Sequence, residues 1–338
     1  MHGSILIWGA GAIGGTLGAY LVRAGQDVTF VDVVPEHVAA INQRGLSIEG
    51  PIDTFTVKAK AFLPADLKGT WKRVFLAVKA QHTADAARAL KPHLAGDGYV
   101  LSLQNGLCEL IIQEHIGRNR TVGAFINYGS DWQEPGKVLY SNSGAFVVGE
   151  LDGTITPRVR ELYDVVRLFE PNAILADNIW SYLWGKLAYV SFLFAQGLGK
   201  ASIADCLARP ELLPVWRALG AEILGVAKAE GVEARGFNGF DPKAFAPGAS
   251  EAVARASVDA MVVFNRPNPK SHSGIWRDLW VRKRRSEVDA QIAPVADIGE
   301  RHGLKSPTVR RLVALIHEVE EGKRPMQDEN LLELLNAR

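Results

Sequence analysis

The run Gly9-Ala10-Gly11-Ala12-Ile13-Gly14 lies between the β-favouring segment Ile5-Leu6-Ile7-Trp8 and an apolar, alanine-containing stretch that ends near Gly25. A strand that closes on glycines and passes at once into a helix leaves unpaired N–H groups at the first helical turn, where an anion is favoured. The three glycines serve different steric needs. Gly9 makes the tight turn, Gly11 lets the backbone approach a pyrophosphate, and Gly14 allows the helix to pack closely on the strand. The pattern commits the start of the chain to a βαβ unit holding a dinucleotide on Gly9, Gly11, Ala12, Ile13 and Gly14. Asp32 closes the next β-rich run, Val28-Thr29-Phe30-Val31, about 20 residues on, where a carboxylate accepts hydrogen bonds from the adenosine ribose and repels a 2′-phosphate. This favours NAD, with NADP the alternative. The competing role for Asp32 is a solvated turn residue.

The rest of the composition narrows the class. At 338 residues, 47% of them hydrophobic and 22% charged, the chain is too long for one compact core of ordinary size, so two domains are expected. A formal net charge of +1 supplies no field to gather nucleic acid or an anionic membrane, which leaves a small molecule as the expected partner. No uncharged run approaches the roughly 18 residues needed to span a bilayer, and glycines interrupt the N-terminal apolar run, so a cytoplasmic location is expected. Cys108 and Cys206 are far apart and read as structural thiols. His82, His115, His272 and His317 lack metal-ligand spacing, so no metal is expected.

Short β-rich runs alternate with helical patterns through the first half, at 5–8, 28–31, 74–78, 99–103 and 121–126, which predicts a parallel sheet. A hairpin of Val138-Leu139-Tyr140 with Ala145-Phe146-Val147-Val148 is expected to extend it, before a helix that opens at Thr156-Pro157. From residue 178 the period changes to 3.6, with helices predicted at 179–195, 212–230, 252–264, 275–301 and 306–321, and loops at 234–250 and 265–269. The fold expected is α/β: an N-terminal Rossmann domain over 1–177, with a doubly wound parallel sheet, followed by an all-helical domain over 178–338. The tryptophans of the second half read as core, and the basic run Arg282-Lys283-Arg284-Arg285 as a solvated helix face rather than a nucleic-acid site.

Further motifs stand in a fixed order: Val78-Lys79-Ala80 and Gln104-Asn105-Gly106 at the ends of two predicted strands, Leu183-Trp184-Gly185-Lys186-Leu187-Ala188 at the start of the helical half, and Ser286-Glu287-Val288-Asp289 late in it. With the glycine run they resemble the ketopantoate reductase (2-dehydropantoate 2-reductase) family over most of the chain. That resemblance implies a helical domain of the 6-phosphogluconate dehydrogenase C-terminal type. It implies Lys186 as catalytic lysine, Glu287 as its acidic partner near the substrate hydroxyl, Asn105 beside nicotinamide and substrate, and Lys79 in the cofactor cleft. The chemistry is consistent with those types, since hydride addition to a ketone builds negative charge on oxygen, which a positioned ammonium stabilises and protonates. The rival readings are a solvated lysine, a surface ion pair for Glu287 and Asn-Gly turn chemistry for Asn105.

The chain departs from the family at the substrate. Val190 and Phe194 stand where the family usually has asparagines, four and eight residues after the lysine, and Gly274 replaces the second serine of a carboxylate-binding pair, leaving Ser273. The segment 275–287 is one residue longer than usual, and Arg277 is a candidate substitute for the carboxylate contact, its alternative being an exposed helix arginine. The arginine by which the family selects the NADP phosphate is absent. The expected activity is NAD(P)-dependent reduction of a small ketopantoate-like 2-oxo acid, or the reverse oxidation, in a homodimer. The alternatives are another hydroxy-acid or opine-type dehydrogenase, and a dinucleotide-sensing regulator without turnover.

Overall fold

A computed structural model describes residues 4–268 and 270–337. The chain divides into two compact units, Met1–Ile179 and Trp180–Arg338.

The first unit runs β1 (Ile5–Trp8), α1 (Ala12–Arg23), β2 (Val28–Val31), α2 (Pro35–Arg44), β3 (Leu46–Glu49), β4 (Phe55–Val57), β5 (Lys60–Phe62), β6 (Trp71–Leu76), α3 (Thr83–Leu90), β7 (Leu94–Ser102), α4 (Cys108–Ile116), β8 (Thr121–Ile126), β9 (Gly129–Glu134), β10 (Lys137–Asn142), β11 (Phe146–Glu150), α5 (Pro157–Val166) and β12 (Ile174–Leu175). Eight strands form one sheet in the order β12-β11-β8-β7-β6-β1-β2-β5. β5, β2, β1, β6, β7 and β8 are parallel; β11 lies antiparallel to β8 and is paired in parallel by β12, so the sheet is mixed at that edge. The chain leaves β1 toward β2 and β5, then crosses back to lay β6 on the other side of β1. This reversal opens a crevice at the carboxyl ends of β1 and β6.

Alternation along the buried strands supplies two cores. Ile5, Ile7, Phe30, Phe75 and Leu101 join one cluster, and Leu6, Trp8, Val31, Val74, Leu76 and Val100 join the other. A strand whose neighbours are all buried on both faces must be apolar throughout, and each such side chain contributes about 1.5–3 kcal/mol by leaving water.

The expected hairpin of residues 138–140 with 145–148 does not form. Pro135-Gly136, with Gly136 at φ 83°, turns β9 back on β10, and β10 also pairs with β3. These strands make a separate four-stranded sheet, β4-β3-β10-β9, while β11 goes to the main sheet. The tight turn chose the partner; β3 and β9 carry Ser, Glu, Asp and Gln, and β4 and β5 span three residues each, so none has the apolar run that marks β1 and β2.

The second unit is helical: α6 (Ile179–Gln196), α7 (Ile203–Ala208), α8 (Leu213–Ala229), α9 (Glu251–Asn265), α10 (Gly274–Trp276), α11 (Val288–Gln291), α12 (Ala293–Arg301) and α13 (Pro307–Glu320). Phe192, Trp216, Phe240 and Phe245 pack ring against ring at 5.2–5.9 Å in its core. Cys206 is buried, and burial pushes its thiol up to about 12, so it stays protonated. Asn265, expected to open a loop, instead closes α9, its amide donating to the Met261 carbonyl at 2.8 Å; Pro269 lies outside the described residues.

The single helix expected over 275–301 is broken. After α10 the chain forms a π-helical turn, Arg277–Val281, marked by the Arg282 N–H donating to the Arg277 carbonyl at 2.9 Å. A π-turn widens one turn of a helix by a residue, and here it ends the regular α-helical bonding after Trp276. Asp278, 2% exposed, accepts from Arg282 at 3.1 Å and from Arg284 at 3.0 and 2.8 Å. The basic run is solvated as expected, with Lys283, Arg284 and Arg285 exposed, but it is not a helix face: it lies in the chain between the π-turn and α11, where Arg282 and Arg284 also neutralise the buried Asp278 carboxylate. Among the described residues no helix is long and apolar enough to cross a membrane, and no group of three or more His, Cys, Asp or Glu gathers at metal spacing.

Candidate active site

At the carboxyl end of β1 the three glycines differ in their surroundings. Gly9 has φ 103°, and a Cβ on it would sit 2.8 Å from the Ala77 carbonyl carbon, so the turn presses against the chain just past β6. A Cβ on Gly14 would overlap the Gly9 carbonyl oxygen and lie 2.8 Å from Ile7. On Gly11 it would meet nothing within 4 Å. The first and third glycines are therefore demanded by the protein's own packing, and the second leaves a cradle open. No acceptor among the described residues takes the N–H of Gly11, Ala12 or Ile13; the first backbone bond into α1 is from Gly15 to the Gly11 carbonyl, at 2.8 Å. These amides and the helix dipole form a site for a pyrophosphate.

Asp32 lies just past β2, partly exposed. Its carboxylate accepts the Ala10 N–H at 2.9 Å and the Val34 N–H at 3.0 Å. Each oxygen keeps a further lone pair for an incoming hydroxyl, so fixing the turn and binding a ribose are compatible roles.

Lys79 and Asn105 lie on the same edge, both half-buried and both beyond their strands, since β6 ends at Leu76 and β7 at Ser102. A buried polar set joins their turns. The Gln104 amide donates to the Val78 carbonyl at 3.0 Å and to the Thr83 hydroxyl at 2.7 Å, and Thr83 donates to the Ala80 carbonyl at 2.7 Å. The Cys108 thiol donates to the Asn105 carbonyl at 3.2 Å. Gln104, Thr83 and Cys108 are 4%, 0% and 1% exposed, so these bonds are shielded from competing water. Gln104 lies in the motif that includes Asn105 but has no role assigned from sequence, and Thr83 has no local pattern to mark it.

In the helical unit Lys186 sits mid-way along α6 and is 8% exposed. Gly185 explains itself beside it, because a Cβ there would overlap the carbonyl of Arg235, whose N–H donates to the Ser181 carbonyl at 2.8 Å. A second segment thus crosses α6 one residue before the lysine. Val190 and Phe194, 6% and 0% exposed, come next on the same helix face. Ser273 is buried and already engaged: it caps α10 by accepting the Trp276 N–H at 3.1 Å and donates to Gln196 at 3.3 Å. That places it at the C-terminal end of α6, ten residues or about 15 Å along the axis from Lys186. Arg277 is half-buried in the π-turn, and Glu287 half-buried at the start of α11, where its carbonyl accepts the Gln291 N–H at 2.9 Å.

The sequence matches the family described as ketopantoate reductase PanE/ApbA over residues 5–153, and the description of that family's C-terminal part over residues 178–320. The chain belongs to the ketopantoate reductase family. Among its relatives, the 2-dehydropantoate 2-reductase of Archaeoglobus fulgidus is 28% identical over 320 residues, covering 94% of this chain and 98% of that protein. The one from Streptococcus pyogenes serotype M1 is 23% identical over 318 residues, covering 94% and 97%. Of solved structures, a PanE/ApbA family ketopantoate reductase from Ralstonia eutropha JMP134 has a TM-score of 0.78 at 26% identity, covering 95% of this chain and 99% of that one. A D-mandelate dehydrogenase with NADH and anilino(oxo)acetate has a TM-score of 0.83 at 21% identity, covering 94% and 99%, and shares the fold.

A nicotinamide dinucleotide fits the open cradle at Gly11. The glycine surroundings predict opposite outcomes for two substitutions. Gly14→Ala should lower the thermal midpoint by several degrees, because its Cβ has no room. Gly11→Ala should leave the midpoint within about 2 °C but weaken dinucleotide binding at least about tenfold, as read by NADH fluorescence titration. Unchanged NADH binding in Gly11→Ala would remove the cradle from the site.

Proposed function

We propose that the protein is an NAD(H)-preferring reductase of 2-oxo acids whose carbonyl neighbour is an apolar group, with Lys186 as the catalytic acid. The observation that carries this reading is a lysine kept 8% exposed on an apolar helix, within the family's motif order. Burying an ammonium is costly, and such a group is retained where its charge or proton is used. The bound dihydronicotinamide supplies the hydride. Lys186 protonates the carbonyl oxygen as negative charge grows on it, Glu287 holds the hydroxyl that results, and Asn105 orients the reacting carbonyl. Lys79 lines the cofactor side. The Ser273 proton goes to Gln196, so the substrate carboxylate is assigned to Arg277, a planar donor fork suited to it.

Preference for NAD rests on Asp32 and on the two residues after it. Val33 and Val34 are exposed and uncharged, so no cation stands next in the chain to receive a 2′-phosphate. The apolar substrate side chain is assigned to the helix face beside Val190, with Phe194 packed behind it, where neither offers a polar group. It is in keeping with the D-mandelate dehydrogenase relative, whose ligand is an aryl-bearing oxo acid derivative.

In steady-state assays Lys186→Ala should reduce kcat by about 10²-fold or more with little change in NADH affinity; an equal loss of NADH binding would contradict its role. Asp32→Ala should shrink the NAD-over-NADP preference about tenfold, and an unchanged ratio would show that the carboxylate does not meet the ribose. Against a panel of 2-oxo acids, phenylglyoxylate and 4-methyl-2-oxopentanoate should exceed ketopantoate in kcat/KM by about tenfold, because the ketopantoate hydroxyl would be buried on an apolar wall without a hydrogen-bond partner, at about 1–3 kcal/mol. A preference for ketopantoate would return the chain to the family's namesake reaction. NADH binding without oxidation by any acid of the panel would favour the regulator.

A further inference from the structure

His37, which the sequence did not single out, is 1% exposed on α2 and bonded on both ring nitrogens. Nδ1 receives the Gly136 N–H at 2.9 Å and the Trp132 indole N–H at 3.3 Å. A nitrogen that receives N–H groups is the acceptor of a neutral imidazole, so the ring proton is on Nε2, which donates to the Ala10 carbonyl at 2.9 Å. We propose that His37 is a positioning residue for the dinucleotide: by holding the Ala10 carbonyl it aims the Gly11 N–H at the pyrophosphate. The proposal rests on the dinucleotide reading of the glycine turn.

The geometry derives from the peptide unit. No cis bond occurs among the described residues, so the Ala10 carbonyl and the Gly11 N–H point to opposite sides of one plane. With the carbonyl fixed toward His37, the N–H is fixed away from it, at the residue whose surroundings are open and whose amide no described residue accepts. Ala10 is held at its other end too, its N–H by the Asp32 carboxylate at 2.9 Å. Gly11 has no Cβ to resist rotation of that plane, so a side chain must do so. The carbonyl taken by His37 is also one that would otherwise accept the Gly14 N–H and extend α1 backward over the cradle.

The competing role is an anchor for Gly136 and Trp132 alone, and two substitutions separate the roles. His37→Gln carries an amide nitrogen to the Nε2 position and keeps the Ala10 bond while giving up the Nδ1 acceptor. His37→Asn carries an amide oxygen to the Nδ1 position and keeps the Gly136 bond while giving up Ala10. In NADH titrations His37→Asn should raise Kd about tenfold or more, with KM for NADH raised and kcat at saturation kept, and His37→Gln should stay within about threefold of the parent. Equal binding by all three proteins, or a larger loss in His37→Gln, overturns the proposal. In the unsubstituted protein, whatever the variants' stability, ADP-ribose should shift the Gly11 amide proton resonance, and an unmoved resonance overturns it as well. Failure of the unsubstituted protein to bind NADH at all would instead sink the dinucleotide reading.

Discussion

The closeness of α1 to the end of β1, where no atom larger than hydrogen fits between Gly14 and the Gly9 carbonyl, is the constraint on which the arrangement of the first unit depends. It sets the helix directly on the central strand and aims its free amides along the carboxyl edge. Because Gly9 also presses on the Ala77 backbone, the turn is fixed to the end of β6, and because Gly9 N–H donates to the Val31 carbonyl at 2.8 Å, it is fixed to β2. Three neighbouring strands thus locate one loop, and the sheet transmits its rigidity to the site. A loop so held needs little ordering when an anion arrives, which keeps the binding cost low.

The same edge is tied together a second time by polar side chains. Gln104 and Thr83 join the turn after β6 to the turn after β7 through bonds that water does not reach. Removing either side chain would strand buried carbonyls or hydroxyls, at about 1–3 kcal/mol for each group left unpaired. This makes Lys79 and Asn105 a rigid pair rather than two residues on separate loops. The Asp278 cluster does the corresponding work in the helical unit: a buried carboxylate with two arginines holds open a π-turn that an uninterrupted helix would close.

How much of this was visible in the residues depends on the range of the interactions. β1, β2, β8 and α6 were legible because an apolar run or a 3.6 period is a local signal, as was the glycine turn, where strand, turn and helix succeed one another along the chain. The partner of β10 was not, since a hairpin is decided by the tighter turn, and Pro135-Gly136 outcompeted the longer connection toward β11. The helix predicted over 275–301 failed because its period hides a π-turn and a charge cluster that form only in three dimensions. The roles of His37, Gln104 and Thr83 escaped for the same reason: each bonds a residue 21 or more positions away, a contact no local pattern encodes.

That division of range also bears on why the cofactor half of the proposed reaction is the more strongly determined. A pyrophosphate is met by main-chain amides, which any sequence possesses once the glycines bend the chain correctly, so the site survives wide divergence elsewhere. On the proposed reading a 2-oxo acid would be met by side chains, whose own groups set the chemistry: Val190 and Phe194 offer no hydrogen bond, Gly274 has no hydroxyl, and Ser273 is committed to Gln196 and Trp276. A substrate that needed polar contacts there would leave its own groups unpaired on burial, whereas an apolar one would gain from the same surface. On that reading, holding the dinucleotide and choosing the acid are set by different physics, main-chain amides for the one and side chains for the other.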